Sequence, residues 1–216
     1  MILKKLISSS LKVRRCTAVL VAVSITAALS TLTVLAPGGE TFAQSADTSL
    51  FDADGYRSHR YRAPLPDTVE GGTTIDADTL AQLIQTDDPV LIDVQAITLR
   101  LEAVEFGVSW LPSEQRYNIP DSTWLPNVGY AEHKPYLAQF FVDNLQRLTD
   151  KDTSRAIVFY CIADCWMSWN AVKRAASLGY NNLYWLPSGT QGWQAIGGEL
   201  VAAEPEPIID YLPTSD

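Results

Sequence analysis

Hydrophobic and polar positions divide the chain into segments of different period. Leu80, Leu83 and Ile84 recur at helical spacing behind Asp76, a residue suited to an N-cap, so a short helix is predicted through about Gln85. "PVLIDV" then runs apolar without alternation and is bounded by Pro89, the pattern of a strand buried on both faces. A second helix is predicted from Pro135, with Leu137, Phe140, Phe141, Leu145 and Leu148 on its apolar stripe. "AIVFY" is a second buried strand and runs directly into Cys161. Ala171, Val172, Ala175 and Ala176 mark a third helix that stops at Gly179, "NLYWLP" a third strand, and "TQGWQAIGG" a last short helix. Strands alternating with helices predict an α/β domain whose sheet is mainly parallel, with helices on both faces.

Two stretches lack a steady period. Residues 95–130 place Pro112, Pro120 and Pro126 among aromatic side chains and read as an irregular, embedded segment. Residues 47–75 carry "GYRSHRYRAPLP" and read as an extended lead-in packed on the domain, with a solvated tail as the alternative. Ahead of them, "MILKKLISSSLKVRR" precedes the apolar run "CTAVLVAVSITAALSTLTVLA" and the small residues of "PGGETFAQSA", the layout of a secretory signal. Cleavage is expected after Ala43, with Ala46 as second choice; uncleaved, the same run is long enough to anchor the chain in a membrane. Either outcome puts the domain outside the cytoplasm, in the periplasm. The expected organisation is a signal peptide over 1–43, a lead-in over 44–74, the folded domain over 75–200 and a tail over 201–216.

Composition narrows the partners. The 216 residues carry a net charge of −9, and loss of the leader leaves 11 basic and 24 acidic side chains, which excludes the basic face that nucleic acid needs. His59 and His133 have no supporting ligand spacing, so neither a metal nor another cofactor is expected. With Cys16 in the leader, the mature chain keeps only Cys161 and Cys165, in a compartment where proximal thiols tend to pair.

Cys161 sits where a buried parallel strand ends, the edge at which ligands collect in open α/β sheets. The loop "IADCWM" leads into a helix whose unpaired N–H groups and dipole favour a thiolate. Three readings stay open for Cys161: a sulfur nucleophile, half of a redox pair, or half of a structural disulfide with Cys165. Asp164 is expected to cap the helix rather than to move a proton. Trp166 and Trp169 are expected to be packing residues, with a cleft wall as the alternative.

"PVLIDV", "NIPDSTWLP" and "IVFYC…SWNAVKRAASLGYNNLYWLPSGTQGWQAIGGEL" resemble the rhodanese domain in order and spacing over residues 75–200. Within it, "CIADCWMSWN" and "GYRSHRYRAPLP" are similar to the PQQ-dependent catabolism-associated CXXCW motif proteins, exported rhodanese-like proteins linked with quinoprotein alcohol oxidation. The resemblance implies a sulfurtransferase or thiol–disulfide exchanger acting on a periplasmic protein partner, possible as an enzyme, in support of a PQQ-dependent system. It makes Cys161 the persulfide-carrying nucleophile, Asp93 the end of the Asp-Val strand, Ser168 the serine of the following helix and Trp193 part of the closing segment. Several departures accompany it. Three residues separate the cysteines where the motif has two, and Ile162, Ala163, Asp164, Trp166 and Met167 supply no arginine to the active-site loop. The loop is one residue longer than usual, as in the related phosphatases, but phosphatase chemistry is not expected without that arginine. On this reading Cys161 attacks and Cys165 resolves. The competing class is a binding module with a permanent Cys161–Cys165 brace and residues 110–130 as its docking surface.

Overall fold

The computed structural model describes residues 48–62, 64–100 and 110–213. The leader, Cys16 and both candidate cleavage points lie outside the described residues. Among those described, no helix is long and apolar enough to cross a membrane.

The three apolar runs form the centre of a five-stranded parallel sheet: β2 (Val90–Asp93), β7 (Ile157–Tyr160) and β8 (Leu183–Leu186). β1 (Thr73–Thr74) flanks β8 and β6 (Ser122–Trp124) flanks β2, giving the order β1-β8-β7-β2-β6. The register sets Asp93 beside Tyr160 and Tyr160 beside Leu186, so the central strands end level, at one edge.

Alternation along β7 divides the core. Ile157 and Phe159 join Ile92, Trp185 and the apolar stripes of α2 (Pro135–Leu148) and α3 (Trp166–Ser177) on one face. Val158 and Tyr160 join Leu91, Leu186 and Leu80 of α1 (Ala77–Thr86) on the other, where Trp193 of α4 (Gly189–Ala195) also packs. Side chains of this size contribute about 1.5–3 kcal/mol each when fully buried, so both faces must be covered for the sheet to hold. This is the predicted α/β sheet with helices on both faces. Asp76 caps α1 as expected, accepting the Thr79 N–H at 2.8 Å. Pro135 is at the start of α2, and Gly179, at φ +94°, follows the end of α3.

The segment 95–130, in its described residues 95–100 and 110–130, is less irregular than its sequence. It contains β3 (Thr98–Leu99), antiparallel to β4 (Trp110–Leu111), then β5 (Arg116–Asn118), antiparallel to β9 (Val201–Ala203), and β6 at the sheet edge. Strands of two or three residues are too short to display a period, and Pro120 and Pro126 flank β6 closely enough to mask it. The Tyr160 hydroxyl fastens this segment to the sheet, donating to Ser122 Oγ at 2.7 Å and accepting the Ile119 N–H at 3.1 Å.

His133, ahead of α2, is bonded through Nε2 to the Val128 carbonyl at 2.8 Å and meets Phe141 edge-on. Burial, with Arg174 nearby, lowers its pKa from 6.5 to about 4. A histidine buried neutral stabilises the fold fully above its unfolded pKa, and that contribution is lost as pH falls towards the folded value. Between pH 7 and pH 4.5 the native chain should therefore lose roughly 2–3 kcal/mol that His133→Gln does not lose, measured by urea unfolding of both proteins at each pH.

Candidate active site

β7 ends at Tyr160, and Cys161 follows it with no exposed surface. Its carbonyl accepts the Thr190 N–H at 3.1 Å, at the start of α4. Gly189, at φ +53°, lies so close that a Cβ there would stand 2.4 Å from the Cys161 oxygen, so only glycine fits. Ile162 and Ala163 are half-buried, and the Ala163 N–H donates to Gln191 Oε1 at 2.8 Å. Asp164 is exposed in the left-handed region at φ +59°, a conformation Asp tolerates better than most residues. It does not cap α3 as its sequence position had suggested. The N-cap is Cys165, 5% exposed, whose backbone is extended at φ −103° and ψ 119°.

Both thiols are free and buried. Cys161 Sγ–H also donates to Gln95 Oε1 at 3.1 Å. Gln95 is fixed from several sides. Its N–H donates to Asp93 Oδ1 at 2.8 Å, its carbonyl accepts Trp124 Nε1–H at 2.8 Å, and its Nε2 donates to the Ala96 carbonyl at 3.3 Å. The last contact turns the amide oxygen, not the nitrogen, towards Cys161. Asp93 in turn holds Arg116 of β5 through Nε at 2.7 Å, with its own side chain wholly buried. Burial raises the Asp93 pKa, opposed by Arg116 and the Gln95 N–H; with a guanidinium that close, the pair is charged at neutral pH.

An arginine thus reaches the neighbourhood of Cys161 from outside the loop. Sequence reading missed it and Gln95 because Arg116 belongs to a three-residue strand and Gln95 follows the Asp-Val pair as an ordinary polar residue. Arg116 Nη2 is buried with no hydrogen-bond partner among the described residues. Arg116, Gln95, Trp124, Ile162 and Thr190 line a cleft of about 640 Å³. The cleft therefore reaches the neighbours of Cys161 and not its sulfur.

The two thiols differ in acidity. Burial pushes Cys161 well above the usual thiol range, and the adjacent Cys165 and Asp93 add to it. Cys165 is lowered, first by the Cys161 S–H, then against burial by the Met167 N–H and Arg62.

Residues 51–62 and 64–68 lie across this loop as a strap. The Trp166 N–H donates to the Tyr61 carbonyl at 2.8 Å, and Arg62 pairs with Cys165 as an antiparallel bridge. The indoles are tied down as well, Trp166 Nε1 to Pro64 O at 2.5 Å and Trp169 Nε1 to Thr68 O at 3.0 Å. Arg57, 1% exposed, sits over the Trp166 ring at 4.4 Å, while its Nε and Nη2 donate to the carbonyls of His59 and Arg60. Trp166 and Trp169 are therefore packing residues. Met167 packs its backbone against Gly129, and Ser168 bonds Cys165 O and Trp185 Nε1. Neither side chain is turned to the cleft lining. Trp193 packs with the other core and donates to Glu199 O at 2.9 Å. Among the described residues no cluster of His, Cys, Asp and Glu could hold a metal ion.

The parallel sheet delivers Cys161 to the loop before a helix, an arrangement of the α/β class. The chain belongs to the rhodanese-like domain family, whose model matches residues 76–196. At the level of that family, sulfur-transfer chemistry is what membership suggests. Similar solved structures include a 3-mercaptopyruvate sulfotransferase of Escherichia coli, at 18% identity and TM-score 0.44 over 62% of this chain and 53% of that one. A thiosulfate sulfurtransferase of Pseudomonas aeruginosa gives 17% and 0.43 over 62% of this chain. A rhodanese-like domain of Anabaena sp. gives 19% and 0.40, covering 68% of this chain and 87% of that one. The chain spans only 21% of the Pseudomonas protein. No curated protein matches the chain.

Replacing Arg116 should expose what Asp93 costs to bury. Arg116→Met should destabilise the protein by about 3–5 kcal/mol at pH 7, the loss expected when one partner of a buried ion pair is removed. An uncompensated Asp93 titrates in the folded state above its unfolded value, so the loss should shrink as pH falls towards 4. Denaturant unfolding at several pH values, with Asp93→Asn/Arg116→Met recovering part of the loss, checks this.

Proposed function

We propose that this protein is an exported rhodanese-like thiol protein that works in sulfur transfer or thiol–disulfide exchange on a partner protein, through Cys161 and Cys165. The observation that carries the reading is the pair of free, buried cysteines that bracket the loop after a central strand, Cys161 directly following β7 and Cys165 capping α3. One sulfur of such a pair can take up a persulfide or a mixed disulfide, and the other can resolve it. Export is supported by the leader-like first 43 residues, and a link to PQQ-dependent alcohol oxidation by resemblance alone.

The electrostatics favour a protein sulfur over a small dianion. Loop residues 162–164 include no cation, and the Ala163 N–H is already used by Gln191. Arg116 brings one unpartnered Nη2, but its charge is offset by Asp93. A donor of thiosulfate type would meet a hydrogen-bond donor without net positive charge. A partner thiol or disulfide needs neither.

One observation favours the second reading, a binding module braced by a permanent disulfide: the two sulfurs are 0% and 5% exposed at the residue level. The reduction potential separates the two. For the exchanging pair it should lie above about −300 mV, or a persulfide adduct should appear by mass spectrometry after incubation with a sulfane donor. A potential well below about −300 mV with no adduct would overturn the catalytic reading.

A further inference from the structure

Cys165 lies under a piece of extended chain. Arg62 of the strap opposes it as an antiparallel bridge, and Tyr61 O, one residue back, accepts the Trp166 N–H at 2.8 Å. The strap's bonds to the two indoles of α3 are also made by main-chain carbonyls, Pro64 O with Trp166 Nε1 and Thr68 O with Trp169 Nε1 at 3.0 Å. Any extended peptide has such carbonyls. One side chain of this stretch has a place of its own: the Tyr61 ring meets Tyr130 edge-on at 5.4 Å, and its hydroxyl accepts the Ala131 N–H at 3.3 Å. Arg62 and Pro64 are exposed. Side-chain anchors lie to either side, at Phe51 and Arg57 before the stretch and at Glu70 after it, which pairs with Lys173 at 2.6 Å.

The stretch is thus bound as a strand is added to a sheet edge, with main-chain bonds for affinity and one side-chain pocket for selection. Directly opposed residues of an antiparallel pair have Cα atoms about 4.5–5.5 Å apart, within the roughly 4.4–6.8 Å that a disulfide spans. A sulfur in the position of Arg62 is therefore within bonding reach of Cys165. The other side of the cysteine pair offers no comparable entry, because the cleft stops at Gln95, Ile162 and Thr190, and Gln95 is fastened to both β2 and β6.

Resting on the proposal that the pair exchanges with a partner protein, we infer that Tyr61, Arg62 and Pro64 occupy the partner's docking edge and that the partner enters by strand exchange. An extended, basic segment with an aromatic residue immediately before its cysteine replaces the strap along Cys165 and Trp166. The aromatic ring takes the place against Tyr130, and the cysteine takes the position of Arg62. Basic character follows from the resident segment and its surroundings. Residues 57–62 read "RSHRYR", without an acid, in a chain of net charge −9, and Asp164 is exposed beside Cys165 with no cation in loop residues 162–164.

The exchange balances when the partner's cysteine arrives as half of a disulfide, R–S–S–R′, with R the docked segment. One protein thiol loses its proton and bonds the docked sulfur; the S–S bond breaks, and R′–S⁻ leaves and is protonated. The second protein thiol loses its proton and displaces R–S⁻, which is protonated in turn. The protein dithiol is oxidised by two electrons to its disulfide, and the partner disulfide is reduced to two thiols.

The probe is a peptide of residues 57–68 carrying Arg62→Cys, its thiol activated as a pyridyl disulfide, and the readout is pyridinethione release on mixing with the reduced full chain. It should react at least about tenfold faster than the same residues in scrambled order, a small part of what holding two reactants together supplies, and Tyr61→Ala in the peptide should remove most of that gain. Arg57→Ala in the protein, which loosens the resident strap, should raise the rate further. Equal rates for the matched, Tyr61→Ala and scrambled peptides overturn the docking edge and leave the exchange chemistry standing. So does an Arg57→Ala protein that unfolds as cooperatively as the native chain yet reacts no faster; where that variant fails to fold, the comparison of peptides on the native chain decides alone. Reaction with none of the peptides, nor with dipyridyl disulfide, overturns the exchange reading and this inference with it.

Discussion

A single buried carboxylate organises the site. Asp93 ends β2 with its side chain wholly out of water, where an uncompensated charge would cost several kcal/mol. Arg116 offsets that cost at 2.7 Å, and the Gln95 N–H satisfies the other oxygen at 2.8 Å. The turn after β2 is thereby fixed. Trp124, on the neighbouring strand, holds the Gln95 carbonyl at 2.8 Å, so the amide that meets Cys161 is anchored by two strands of the same sheet. The polarity felt by the first sulfur follows from the last residue of a strand, not from the loop that carries the cysteine.

The acidity of the second sulfur shows why a helix N-terminus alone is insufficient. A helix dipole is worth about 0.3–1 kcal/mol at an exposed site, less than one pKa unit, while burial of a thiol raises its pKa by more. At Cys165 the pKa is lowered in spite of burial, and the neighbouring Cys161 is the first cause. The pair is therefore a joint property. Each thiol sets the other's protonation, and the macroscopic titration belongs to both.

The central strands, all four helices and the placement of Cys161 at the sheet edge were legible in the sequence, because long apolar runs and 3.6-residue stripes report burial directly. β6, β5 and Arg116 were not. Their strands are three residues long, and what orders them is tertiary: the Tyr160 hydroxyl, the Trp124 indole and the pairing with β9. The helix cap failed for a related reason. Asp164 is the better capping type, but its backbone is left-handed at φ +59° while Cys165 holds the extended position, and backbone geometry outranks propensity there. The packing of Trp166 and Trp169 was the more expected outcome. The identity of what covers them, a strap about a hundred positions earlier in the chain, has no local signature.

That strap links protection to reactivity. Its main chain pairs at Cys165 and accepts the Trp166 N–H, and Arg57 closes over the indole next to the thiol. The same segment carries Arg62, one of the groups that favours the Cys165 thiolate. Lifting the strap exposes the sulfur and hydrates it, which removes the burial penalty, but it also withdraws a positive charge. These changes oppose one another in their effect on the thiol. A buried sulfur at this position is thus compatible with chemistry, provided that the strap's bonds to the tryptophans yield without disturbing the Asp93–Arg116 pair, which belongs to the sheet and not to the strap.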